Sequence, residues 1–115
     1  MNRPMYYDKA GNPITLWEWC ALFGDKGYQI IHQTKLPDGG LVSTVWLGLD
    51  HAFRGPPQIF ETMAFWPDRE VRRCERYATL AAARSGHAAM VKEIRRADRK
   101  LRAAMAEADA NKKPT

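Results

Sequence analysis

Between Asp50 and His87 the sequence gathers side chains able to bind or move charge: Asp50, His51, Arg54, Glu61, Tyr77, Arg84 and His87. Asp50, His51 and Arg54 lie in or beside a turn-rich loop, His51-Ala52-Phe53-Arg54-Gly55-Pro56-Pro57, between two apolar, β-rich runs. Loops anchored by rigid strands are where binding groups are usually displayed. Glu61 sits among Ile59, Met63 and Phe65 on the returning strand, and a half-buried carboxylate there needs a cationic or hydrogen-bonding partner. His87 and Arg84, one helical turn apart, are the expected partners. An imidazole, a carboxylate and an arginine between aromatic walls (Trp46, Phe53, Trp66, Tyr77) suit a small polar or nucleotide-like ligand.

Other chemistries find less support. His51, Glu61 and His87 are of the types that make a two-histidine, one-carboxylate metal site, but they come from separate elements with no H-x-H or H-x-x-x-H pair. No metal or other cofactor is therefore expected. Ser43 and Ser85 lack a nucleophile elbow, and Cys20 falls on the expected packing face of a helix. No phosphate-binding glycine pattern of the Walker or Rossmann kind is present. The expectation is a protein that binds rather than an enzyme.

The elements that must position these groups follow from pattern. Thr15-Leu16-Trp17-Glu18 fits a capping box, opening a short helix that Gly24 ends, with Leu16, Cys20 and Phe23 on its packing face. The period then changes to two. Tyr28–Leu36 and Leu41–Leu49 read as a hairpin about Pro37-Asp38-Gly39-Gly40, and Gln58–Phe65 as a third strand. Val71–Tyr77, with alternating charges, suits a fourth strand at an edge. In Leu41–Leu49 the face carrying Leu41, Val45, Leu47 and Leu49 is the more apolar and is expected to be the core. Thr79 caps a last helix from Leu80 to about Ala110, whose stripe runs Leu80, Ala83, His87, Val91, Ile94, Leu101 and Met105. At 1.5 Å per residue it spans roughly 45 Å, more than a sheet of such strands can cover. The fold class is α+β: an antiparallel sheet of three or four strands with the short N-terminal and long C-terminal helices on one face. Residues 1–95 form one domain, 96–110 a projecting basic helix end, and 111–115 a frayed tail.

The chain has 115 residues and a net charge of +5, unevenly placed. Residues 1–65 carry five Lys/Arg against six Asp/Glu, and residues 66–115 thirteen against seven. A basic half suits nucleic acid or an acidic protein surface. Arg95, Arg96, Arg99, Lys100 and Arg102 are the candidate phosphate contacts, although Glu93 and Asp98 intervene and no helix-turn-helix partner is evident. No apolar run is long enough for a membrane span, and with no apolar stretch behind Arg3 a secretory signal is not expected. The two cysteines, far apart, are expected to be reduced and mostly buried.

The words VSTVWLGLDH at 42–51, GPPQIFETM at 55–63, RYAT at 76–79 and Gly86-His87 resemble a pattern in small proteins of tailed bacteriophages and prophages. The likeness runs from about Tyr7 to Val91; the basic extension beyond Val91 departs from it. It implies a phage accessory protein in the host cytoplasm that binds a host protein or defence component, in an anti-defence role. A homodimer through the long helix, nucleic-acid binding by that helix, and a nucleotide-like ligand near His51, Glu61 and His87 are the other partnerships to test.

Overall fold

A computed structural model describes residues 4–50, 52, 54–68 and 73–112. In chain order its elements are β1 (Tyr6–Tyr7), β2 (Pro13–Ile14), α1 (Leu16–Phe23), α2 (Lys26–Gln29), β3 (Ile30–Lys35), β4 (Leu41–Trp46), β5 (Phe60–Phe65), β6 (Arg73–Tyr77) and α3 (Leu80–Asn111). This is the α+β architecture expected. β3 to β6 form an antiparallel meander in spatial order β3-β4-β5-β6, so β3 and β6 are its edges. β1 and β2 pair as a small separate ribbon.

Local chemistry starts the helices as the sequence requires. Thr15 Oγ1 accepts from the Glu18 amide while the Glu18 carboxylate accepts from the Thr15 amide, the reciprocal capping box. Thr79 Oγ1 accepts from the Ala82 amide at the head of α3. Two glycines are fixed by geometry. Gly48, just past β4, has φ +71°, and a Cβ there would meet the Trp46 ring. Gly86 lies in mid-helix because a Cβ would fall on the Tyr77 ring. Its absence lets α3 settle onto β6.

The core is a single layer between one face of the sheet and the helices. Val42, Thr44 and Trp46 of β4 and Phe60, Thr62 and Ala64 of β5 are all fully buried there. Ala83, His87, Met90 and Val91 of α3 cover them. At one end Trp46, Phe60, Ile59 and Tyr7 pack with Trp19, Leu22 and Tyr28; at the other, Val42 and Ala64 pack with Leu36, Met90, Val91 and Ile94. This reverses the expected facing of β4. Leu41 and Val45, with Ser43 between them, lie on the face that carries no described helix, and they are half-buried. Polar groups decide the matter. The Trp46 indole N–H donates to the Tyr7 carbonyl at 3.0 Å, and the Thr44 hydroxyl completes a buried hydrogen-bond chain described below. Both partners lie on the helix side of the sheet.

Other expectations need correction. On α1 it is Trp19 and Leu22 that pack inward, while Leu16, Cys20 and Phe23 are exposed. Both cysteines are exposed rather than buried. β3 begins at Ile30, because Asp25 caps the extra turn α2 by accepting from the Gly27 and Tyr28 amides. The end of α3 does run past the sheet, giving a body 75 × 28 × 23 Å. No helix among the described residues is long and apolar enough to cross a membrane.

Candidate anion-binding groove

His87 is the inward group around which the site is organised. It is 4% exposed, and its ring bridges the sheet. Nδ1 lies 2.7 Å from Thr44 Oγ1 and Nε2 lies 2.8 Å from Thr34 Oγ1, while Thr44 Oγ1 is 2.5 Å from Thr62 Oγ1. A neutral imidazole has one donor and one acceptor nitrogen, and three rotatable hydroxyls satisfy either tautomer. Burial pushes the His87 pKa below the ordinary imidazole value, and the neighbouring His32 lowers it further. The His32 and His87 rings meet edge to face with centroids 4.5 Å apart.

His32 reaches this position through an irregularity in β3. The β3–β4 register shifts between Ile30 and His32. Ile31 packs into the core, yet the next residue, His32, also borders α3. A bulge of this kind turns two consecutive side chains toward one side of a sheet. Because β3 is an edge, the space between it and α3 stays open to solvent.

That space is a groove of about 550 Å³, lined by His32, Thr34, His87, Lys92, Arg95 and Arg99 together with Ala88 and Val91. A smaller hollow of about 320 Å³ continues past His32 and His87 to Arg84. Among the described residues, every ionisable group lining these two spaces is basic. Arg95 and Arg99 also border an adjoining hollow that Asp38 and Asp98 line. The basic stretch thus runs from Arg84 to Arg99, about 22 Å along a helix rising 1.5 Å per residue.

The groove brings together some of the sequence candidates and separates others. Arg84 and His87 join Arg95 and Arg99 along one flank of α3. Arg96 and Lys100 do not line it, and Arg102 pairs with Asp98 at 3.0 Å. Glu61 is on the opposite face of the sheet from His87. It registers with Val45 and pairs with Arg76 of β6 at 3.2 Å, so its partner is not Arg84 or His87. Asp50 is tied into its own loop, where Oδ1 accepts from the Ala52 amide at 2.9 Å. Arg54 is exposed in that loop, and Tyr77 packs against Gly86. His51 and Phe53 lie outside the described residues. The expected convergence of His51, Glu61 and His87 therefore gives way to a cluster of His32, His87 and the basic flank of α3.

Sequence reasoning passed over two members of this cluster, Lys92 and His32. Lys92 was legible: positions 84, 88, 92, 95 and 99 fall at helical spacing on one flank. His32 was not, because nothing local shows that β3 is an edge or that its register slips. Among the described residues no three His, Cys, Asp or Glu side chains are grouped so as to hold a metal ion. Nor is the Cys74 thiol poised as a nucleophile, since desolvation and the neighbouring Glu61 raise its pKa. No protein-family model, curated protein or solved structure matches the chain.

Proposed function

We propose that this protein binds nucleic acid without turning it over, seating a run of phosphates in the groove between β3 and α3. The observation that carries the reading is the lining of the two spaces by Arg84, Lys92, Arg95 and Arg99 with His32 and His87, and by no acid among the described residues, Asp38 and Asp98 lying in the adjoining hollow. A stretch of about 22 Å exceeds a single phosphate group and matches a chain of them. The exposed His32 ring offers a flat surface for a base, while hydroxyls and guanidinium groups contact phosphate without reading sequence. Such binding is largely sequence-blind and strongly salt-dependent.

Fluorescence anisotropy with single-stranded and duplex oligonucleotides over a salt series tests it. Four fixed cations predict a slope of log K against log salt of about −3 for single strands and about −3.6 for duplex. Reversing two of them with Arg95→Glu/Arg99→Glu abolishes binding at low salt. Wild-type protein that binds neither form at low salt ends the proposal.

One observation favours a second reading, the binding of a host protein expected of a phage accessory factor. The sheet face opposite α3 presents Leu41, Val45, Met63 and Phe65, half-buried with no described helix over them. Apolar surface of this kind commonly marks protein contact. Val45→Lys/Met63→Lys separates the readings: it removes a protein partner captured from host cells and leaves oligonucleotide affinity unchanged.

A further inference from the structure

From the end of α3 we infer that two copies of this chain associate through an antiparallel pair of α3 helices. The stripe that α3 buries against the sheet does not stop where the sheet stops. Ala83, His87, Met90 and Val91 are buried, and the same helical face continues through Ile94, Ala97, Leu101, Ala104, Met105 and Ala108. Leu101 and Met105 are each 59% exposed. The thirteen residues from Arg99 to Asn111 are all exposed, close to the length below which a lone helix is marginal in water.

Spacing and charge together select the occupant. Ile94, Leu101 and Ala108 recur every seven residues, with Ala97 and Ala104 between them, the a and d positions of a short heptad seam. Alanine at the intervening positions lets two helices approach closely. Glu93, Lys100 and Glu107 also recur every seven residues and flank this seam on one side. An antiparallel two-fold centred between Arg102 and Ala103 packs Leu101 against the partner's Ala104. In that register Lys100 meets the partner's Glu107, and Glu107 meets the partner's Lys100. A parallel pair instead sets Glu93 beside the partner's Asp98, a like-charge contact.

The fold accommodates the antiparallel arrangement. The partner's helix end arrives beside Ile94, where a hollow of about 300 Å³ bordered by Trp66, Ile94, Ala97 and Leu101 lies open. The pairing uses the flank of α3 away from Arg95 and Arg99, so it leaves the basic groove clear and does not depend on it.

Sedimentation equilibrium of the full chain, up to about 100 µM where micromolar association is populated, reads the outcome. The expected result is a two-chain mass, with association weakened at least tenfold by Lys100→Glu and restored by Lys100→Glu/Glu107→Lys. Leu101→Glu, on exposed surface, gives a single-chain mass with an unchanged melting profile for the sheet domain. A one-chain mass for the wild type at that concentration overturns the inference. So does a charge swap that fails to restore association, because the antiparallel register requires those two residues to face each other.

Discussion

Thr44→Val removes a single hydroxyl while nearly conserving volume, which makes it the sharpest probe of how the core is held. Thr44 Oγ1 is fully buried and serves two partners, His87 Nδ1 at 2.7 Å and Thr62 Oγ1 at 2.5 Å. The valine leaves both without a partner in a site closed to water. Each of the two unsatisfied buried polar groups costs about 1–3 kcal/mol and the added methyl recovers under ~1 kcal/mol, so the net loss is about 1–5 kcal/mol. In a chain of this size that lowers Tm by roughly 10 °C. Thr62→Val is milder, at about 1 kcal/mol, because Thr44 keeps His87. In the double variant the orphaned Thr62 hydroxyl is gone, so it is no less stable than Thr44→Val alone, a coupling of about 1 kcal/mol or more. Urea unfolding followed by circular dichroism measures all three. Equal costs for the two single variants, or strict additivity in the double, refutes the hydrogen-bond chain.

Three further outcomes are expected. His87 is buried with a lowered pKa, so the unfolded chain takes up a proton that the native ring resists; the stability this provides is complete above about pH 6.5 and is lost as pH falls below it. Subtracting the pH–stability curve of His87→Gln isolates this contribution, and identical acid slopes contradict it. Gly86→Ala destabilises although alanine favours a helix by about 1 kcal/mol, because its Cβ would overlap the Tyr77 ring; thermal melts of Gly86→Ala with and without Tyr77→Leu show the second change relieving the first. Glu61→Gln changes stability by less than about 1 kcal/mol, since its partner Arg76 is 44% exposed, and leaves oligonucleotide binding unchanged; a loss of binding returns Glu61 to the site.

The outline of this fold was legible because helix and strand signals are local. Capping by Thr15 and Thr79, the Pro37–Gly40 turn and the alternating strands all needed only neighbouring residues. Which face of β4 is buried was not local. Leucines and valine favour one face by transfer energy, but a histidine on the covering helix and the Trp46 indole needed polar partners, and these lie on the other. The same difficulty governed the site. Arg84, His87, Arg95 and Arg99 could be picked from α3 because one helix carries them. Glu61 was misplaced by the same one-residue ambiguity of facing that reversed β4. His32 needed the bulge and the edge position of β3, which emerge only when the strands assemble.

The central claim is that phosphates lie between β3 and α3, and a two-dimensional ¹H–¹⁵N NMR titration with a short single-stranded oligonucleotide locates them directly. The account predicts shifts confined to His32, Thr34 and the amides from Arg84 to Arg99, moving together and reversing as salt is raised. Shifts centred on Val45, Met63 and Arg76 across the sheet, with His32 and the α3 flank unmoved, contradict it.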